Sequence, residues 1–329
     1  MNNYESLIKN LQSSATFHGD ILYHEPLAKK STFKIGGTAE LFIAPNDYYS
    51  FQLLIREAKK LNIKFFIVGG GSNIVFPDDE YKGLIISTRN FNDVEFFSKQ
   101  DLPEDFGEVE LSKNQFLVSC FAGTPMASFV NFCTQSCFSG AEQFAGLPGT
   151  IGGAVFMNAR CFDRSISDIL FYVSYLDYSG EEVLLKYERF NPSQWDYKKS
   201  PYQNNKRCIL TATFLLTKKG HAEKNQISED CKHYIAERLS KGHFIYPSAG
   251  SVFKNNRSFG KPSGQIIDEA GLRGTQIGGA KIAEFHGNFI VNYDHATQKD
   301  VKKLVEFTQK TVEDKYGFKL EPEIIFLEN

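Results

Sequence analysis

The sequence predicts an α+β chain of two domains, and three observations carry that expectation. At 329 residues the chain exceeds a single core of ordinary size. Segments with helical spacing of apolar residues alternate with short apolar runs bounded by turn residues. A run of three glycines, Gly69-Gly70-Gly71, stands between two strand-like segments rather than at the opening of a helix.

Taken in order, residues 1–17 read as a short helix, and Thr32 to Ile43 as extended segments broken at Gly36-Gly37. Asp47 stands where an N-cap belongs, ahead of Phe51, Leu54, Ile55 and Ala58 at helical spacing. A strand at 64–68 leads into the glycine loop and Gly83 to Ser87 forms another, giving β-α-β-loop-β. From 92 to 120 polar turns alternate with short apolar runs, and Pro125 begins a helix that ends near Gly140 and carries Cys133 and Cys137 on its core face. Strands follow at 170–178, 181–186 and 208–217, then a polar linker from Lys218 to Asn225. Beyond it lie a helix at 228–240, a Ser-Ala-Gly-Ser turn at 248–251, a helix at 262–270, and strands at 280–284 and 288–292. Thr297 and Asp300 form a capping box for a last helix stopped by Gly317.

Lys plus Arg (37) nearly balances Asp plus Glu (39), so no global field draws the chain to nucleic acid or an anionic membrane. The N-terminus has no basic segment followed by an apolar one and no apolar run reaches membrane-spanning length, so a soluble cytoplasmic protein is expected. The six cysteines show no paired C-x-x-C spacing, and Cys231 with His233 lacks a second ligand pair, so neither a disulfide framework nor a metal site is expected.

Two glycine-rich stretches carry the chemistry. Gly69-Gly70-Gly71-Ser72-Asn73 reads either as a tight turn or as a nest of inward N–H groups suited to a diphosphate. The dinucleotide fingerprint G-x-G-x-x-G fails, because its sixth position is Ile74 and the turn Pro77-Asp78-Asp79 follows; the P-loop fails because Gly260-Lys261 precedes Pro262. The second stretch, Gly146 to Asn158, reads as close backbone packing, against a helix and sheet or against a flat ligand.

Five ordered motifs resemble one family. They are Thr32-Phe33-Lys34-Ile35-Gly36-Gly37, Gly69 to Asn73, Ala145 to Ala154 with Met157-Asn158-Ala159, Gly250-Ser251-Val252-Phe253-Lys254-Asn255, and Leu320-Glu321-Pro322-Glu323. In this order, over nearly the whole chain, they resemble the UDP-N-acetylenolpyruvoylglucosamine reductases, flavoenzymes that make UDP-N-acetylmuramate for the bacterial cell wall. The run from Phe214 to Ser251 resembles the form that lacks an extra tyrosine-bearing loop.

The resemblance implies an FAD-binding domain in two parts, of the vanillyl-alcohol-oxidase (PCMH) type, and a smaller α+β substrate domain. Boundaries follow at 1–31 for an N-terminal helical segment, 32–218 for the FAD domain and 219–329 for the substrate domain. It assigns FAD contacts to Gly69, Gly70, Gly71, Ser72, Asn73, Gly123, Gly146, Pro148, Gly149, Gly152, Gly153 and Asn158. No histidine lies between His24 and His221, so the FAD is expected to be non-covalent. NADPH is implied as co-substrate and UDP-N-acetylglucosamine enolpyruvate as substrate, in a cytoplasmic monomer serving peptidoglycan synthesis, cell shape and division.

Ser251 aligns with the family's proton donor and Glu323 with its catalytic carboxylate; by themselves they read as a turn serine and a surface charge. A serine is a weak acid in water, so this donor needs a strongly basic acceptor and close geometry. A carboxylate beside the substrate's own must be protonated or act through hydrogen bonds. Lys198 stands where the family has arginine, keeping the charge and losing the planar fork. Tyr197, Arg238, Lys254 and Asn255 are the expected substrate contacts. Arg160-Cys161-Phe162-Asp163 replaces the family's Gly-x-Tyr-Gly, so a different local backbone is expected, with Arg160 near a phosphate or facing solvent. Asn256 replaces a proline. Two other readings stay open: a flavin oxidase or dehydrogenase of the same fold, and an inactive UDP-sugar binding protein.

Overall fold

Local sequence sets most helix ends. Asn2 and Glu5 close a reciprocal cap on the helix Asn3–Ser13, and the Asp47 carboxylate accepts from Ser50 N–H at the start of Tyr48–Lys60. Thr297 and Asp300 do the same for Gln298–Tyr316, and Gly317, left-handed at φ 78°, stops it. The structure is a computed structural model that describes residues 2–97, 102–106, 108–203 and 205–329. Met1, counted in the expected first helix, and residues 98–101 and 107, within the expected run of turns, lie outside the described residues.

One sheet has the strand order Gly19–Pro26, Thr38–Pro45, Tyr81–Ser87, Phe65–Val68. A larger antiparallel sheet runs Leu184–Arg189, Leu170–Asp177, Arg207–Lys218, Gln115–Phe121, Val94–Phe97, and Phe138–Ser139 pairs beside the long strand. A third has the order Ser248–Ser251, Phe289–Asn292, Ala280–Ile282, Gln276–Ile277.

The chain divides into two units. The first takes Met1–Leu22, Leu41–Gly70 and Leu84–Ile235, the second Tyr23–Glu40, Gly71–Gly83 and Ala236–Asn329. In the first, Phe129, Phe144, Val155, Ile166 and Phe214 are fully buried in one core, and Leu7, Phe51, Leu54 and Leu84 in another. In the second, Phe33, Ile35 and Val75 pack with Phe253, Ile267, Leu304 and Leu320. The early motif Thr32 to Gly37 therefore belongs to the unit that holds Ser251 and Glu323.

Three local expectations are corrected. The helix after Pro125 stops at Gln135 rather than near Gly140, because Cys137 turns left-handed (φ 58°) and Phe138–Ser139 joins the sheet; Cys137 is buried beyond the helix, not on it. Ser248–Ser251 is a strand, not a turn: it pairs with Phe289–Asn292 across a bulge that Gly250, at φ 77°, makes accessible. The polar run from Lys218 is structured, with a 3-10 turn at His221–Glu223 and a helix opening at Lys224. All six cysteines are free and buried, and no group of three metal-ligating side chains occurs among the described residues. Among them, no helix is long and apolar enough to cross a membrane.

Candidate cofactor and active site

In the first unit Phe65–Val68 runs parallel to Leu84–Ser87, and the chain leaves it directly into Gly69-Gly70. The two glycine stretches meet here. A Cβ on Gly70 would lie 2.5 Å from Gly149 Cα, and one on Gly69 would lie 2.4 Å from Thr150 Oγ1. The second stretch is pinned in turn by Met126 N–H to Gly149 O (3.1 Å), Ile151 N–H to Thr124 O (2.9 Å) and Gly152 N–H to Ala122 O (2.9 Å). Gly123 and Gly152 serve this backbone welding, since a Cβ would meet Thr88 O at 1.8 Å in the first case and Ala122 Cβ at 2.8 Å in the second. Gly146 (φ 74°) and Gly149 (φ 108°) bend the chain around Pro148. Gly153 differs: a Cβ there would meet only Thr150 Oγ1, at 3.7 Å.

Two hydroxyls at this junction, Thr88 Oγ1 and Thr150 Oγ1, are buried without a hydrogen-bond partner among the described residues, as is Gln143 Oε1. An unpaired buried polar group costs about 1–3 kcal/mol, a cost that a ligand offering acceptors to the two threonine hydroxyls would relieve. A flavin dinucleotide, with its diphosphate and ribityl oxygens, fits that demand and the side-chain-free glycine wall. Arg89 braces the loop by donating to Gly70 O (2.8 Å). Sequence reasoning missed Thr88, Arg89 and Thr150; the one signal available was Thr150, the lone hydroxyl in the stretch from Gly146 to Asn158.

Asn158, 3% exposed and left-handed at φ 41°, binds protein with both ends of its amide, donating to Asp196 O (2.9 Å) and accepting from Ser167 N–H (3.3 Å). Asp196 and Lys199 exchange backbone hydrogen bonds of 3.3 and 3.0 Å around Tyr197-Lys198. Lys198 occupies the left-handed position of that turn (φ 58°), and Gln203 Nε2 donates to its carbonyl at 3.1 Å. Tyr197 and Lys199 are exposed, while Lys198 is half-buried. Arg160 pairs with Asp163 (3.1 Å) across a hairpin turn in which Phe162 and Asp163 are both left-handed. The sequence places an arginine and an aspartate at the two positions where glycine was expected, and the hairpin accommodates them.

In the second unit the segment after Ser251 is held on both edges. On one, Val252 N–H donates to Asn288 O, and the buried Asn288 amide bonds both Phe253 N–H (2.9 Å) and Phe253 O (2.8 Å). On the other, Glu323 N–H donates to Val252 O (2.7 Å) and Lys254 N–H to Glu321 O (2.9 Å), with Phe253 bridged to Pro322. Ser251 and Glu323, far apart in sequence, thus stand on neighbouring paired segments. Gly71 is pressed against Lys30 O, where a Cβ would lie at 2.1 Å, and Ser72 follows it, half-buried. Asn73 Nδ2 donates to Glu323 O at 3.0 Å.

Lys254 Nζ pairs with Glu321 Oε1 at 2.5 Å, and Asn255 Oδ1 accepts from Ser263 N–H (2.8 Å) at the start of the helix Ser263–Glu269. Arg238 is 6% exposed. Nearby, burial first and then the Arg238 charge push the His243 imidazole down to about 4.

Residues 242–327 match the family model described as UDP-N-acetylenolpyruvoylglucosamine reductase, C-terminal domain, and residues 39–186 match the FAD binding domain model. The UDP-N-acetylenolpyruvoylglucosamine reductase of Treponema denticola is 41% identical, over 99% of this chain and 98% of its own. That of Borreliella burgdorferi is 38% identical, over 92% of each. The crystal structure of the Thermus caldophilus UDP-N-acetylenolpyruvylglucosamine reductase superposes with a TM-score of 0.70, at 24% identity, over 95% of this chain and 100% of that one, which shows the fold. With relatives of 41% and 38% identity covered over nearly their whole length, the chain belongs to the UDP-N-acetylenolpyruvoylglucosamine reductase family.

Proposed function

We propose that this FAD oxidoreductase reduces the enolpyruvyl ether of UDP-N-acetylglucosamine to UDP-N-acetylmuramate, with NADPH as reductant, Ser251 as proton donor and a place in cytoplasmic peptidoglycan precursor synthesis, and so in cell shape and division. The observation that carries the residue assignment is the pairing of Val252 with Glu323, which puts the serine and the carboxylate on adjacent backbone segments. Bound FAD supplies the hydride. It would lie on the surface that Gly69 and Gly70 form together with Gly149 and Thr150, with the Thr88 and Thr150 hydroxyls turned to donate to its oxygens.

Hydride addition to a conjugated enolpyruvyl group builds negative charge on the carbon next to the carboxylate and on the carboxylate oxygens. The Lys198 ammonium offsets that charge as a point cation, without an arginine's two-pronged grip. The Ser251 hydroxyl passes its proton to the basic carbon, where proximity matters more than the ordinary acidity of a serine. Glu323 steadies the same group through a hydrogen bond. Arg238 balances the nucleotide diphosphate, and Tyr197, Lys254 and Asn255 orient the sugar. The division into 32–218 for cofactor and 219–329 for substrate stands in this proposal as a division by function, while the compact units group Tyr23–Glu40 and Gly71–Gly83 with the later residues; a monomer is part of the same proposal.

The test is an absorbance spectrum of the purified protein. A yellow protein bleached anaerobically by NADPH and recoloured by the enolpyruvyl substrate is expected. A colourless protein that takes up no FAD overturns the proposal, and bleaching by a small alcohol instead of NADPH transfers it to an oxidase.

A further inference from the structure

Glu323 is fixed through its own peptide groups rather than by its position at the end of a strand. Its N–H donates to Val252 O at 2.7 Å, its C=O accepts from Asn73 Nδ2 at 3.0 Å, and two residues on, Ile325 N–H donates to Asn73 O at 3.0 Å. The peptide unit before Glu323 and the one after it are therefore both tied, and Pro322 restricts the approach from the N-terminal side. With the backbone held at both ends, the Cα–Cβ direction of Glu323 relative to Ser251 is set before its side chain chooses a rotamer.

We propose that Asn73, the last residue of the glycine loop, is a positioning residue for Glu323: its side-chain amide aims the carboxylate that serves the enolpyruvyl half of the reaction. The inference rests on the reading of Glu323 as the catalytic carboxylate. It differs from the motif-based expectation for Asn73, which places it among the FAD contacts. The same terminal strand has a second, separate anchor: Gln298 Nε2, buried, donates to Val75 O (3.0 Å) and Leu327 O (2.9 Å). That anchor holds the strand but does not touch Glu323, so it serves as the structural control.

The experiment compares wild type, Asn73→Ala and Gln298→Ala as FAD-loaded protein. Three readouts are taken: the rate of bleaching by NADPH, the rate of recolouring by the enolpyruvyl substrate, and hydrogen exchange across 321–325. A misaimed group loses one to two orders of magnitude in rate, so Asn73→Ala is expected to recolour about tenfold or more slowly while bleaching within about twofold of wild type. Exchange at the Glu323 amide is expected to quicken. Gln298→Ala is expected to lower the melting temperature and leave both rates near wild type.

The inference is overturned if Asn73→Ala loses FAD or slows bleaching as much as recolouring, which makes Asn73 a cofactor contact, or if Gln298→Ala slows recolouring equally, which makes its role merely structural. Should Asn73→Ala not fold, Asn73→Asp, of the same size without the N–H donors, takes its place. Wild type that bleaches but is not recoloured overturns the functional reading instead, and the exchange comparison then decides the role of Asn73 by itself.

Discussion

The amide of Asn158 donates to the carbonyl of Asp196 at 2.9 Å, from a site that is 3% exposed. That bond ties the end of the second glycine stretch to the turn that presents Lys198, so the identity of residue 158 matters to a charge 40 positions later. Asn158→Ala leaves the Asp196 carbonyl and the Ser167 N–H short of a partner and puts a β-carbon residue at φ 41° without an amide to compensate. A loss of about 2–3 kcal/mol in stability is expected, read by denaturant unfolding. Asn158→Asp keeps the Ser167 bond but turns a buried carboxylate oxygen onto the Asp196 carbonyl, and is expected to lose at least as much.

Lys198 carries its own backbone cost. At φ 58° a lysine is strained by about 1 kcal/mol relative to glycine. Lys198→Gly is expected to raise the melting temperature and abolish turnover of the enolpyruvyl substrate. Lys198→Ala is expected to slow that step by about a hundredfold, and Lys199→Ala to leave it near wild type. The reverse ranking of the two alanine variants would move the charge-stabilising role to Lys199.

The two loop glycines are not equivalent. A methyl on Gly70 meets backbone at 2.5 Å, which cannot move without displacing the second stretch, whereas a methyl on Gly69 meets a threonine hydroxyl that can rotate. Gly70→Ala is expected to yield colourless or poorly folded protein. Gly69→Ala is expected to fold and hold FAD weakly, by absorbance after gel filtration.

Thr150 makes a sharper test of the cradle. Thr150→Val removes a buried hydroxyl that has no partner among the described residues, so the FAD-free protein is expected to gain about 1 kcal/mol while FAD affinity falls about tenfold. Calorimetry of the two forms separates these opposite signs. A destabilised FAD-free variant would place a protein partner on Thr150 and remove the argument from its hydroxyl.

His243 gives the second unit an acid limit. Stacked on Phe289 with ring centres 4.9 Å apart, it is held down to about 4, against about 6.5 in an unfolded chain. The unfolded state therefore binds the proton first. The contribution is fully present above about pH 6.5 and is lost as pH falls toward 4. Discounted for partial exposure, it amounts to about 2 kcal/mol. His243→Phe, which keeps the stack, is expected to flatten the melting temperature between pH 6.5 and 4.

Much of this was legible in the chain. The Asp47 and Thr297 caps, the Gly317 stop and the strands at 170–178 and 208–217 follow from local chemistry and period, while the strand expected at 181–186 runs Leu184–Arg189. The five motifs contain most of the residues that the proposed function uses. What stayed hidden depends on distant partners. Ser-Ala-Gly-Ser reads as a turn until Phe289–Asn292 supplies the pairing that makes it a bulged strand. Nothing local to Asn73 points to Glu323, and Thr88 gains meaning only when Thr150 arrives beside Gly69.

The distribution of the cysteines has an experimental use. Cys120, Cys133, Cys137, Cys161, Cys208 and Cys231 all lie within Leu84–Ile235, buried and unbridged, and the second unit has none. Burial pushes the Cys208 thiol up to about 12 and raises Cys120 and Cys133 as well, so the native thiolate is scarce. A thiol-reactive dye therefore acts as a clock wired to one unit only: its rate times the opening of the flavin-cradling unit, and anything that loosens only the serine-and-carboxylate unit passes unrecorded.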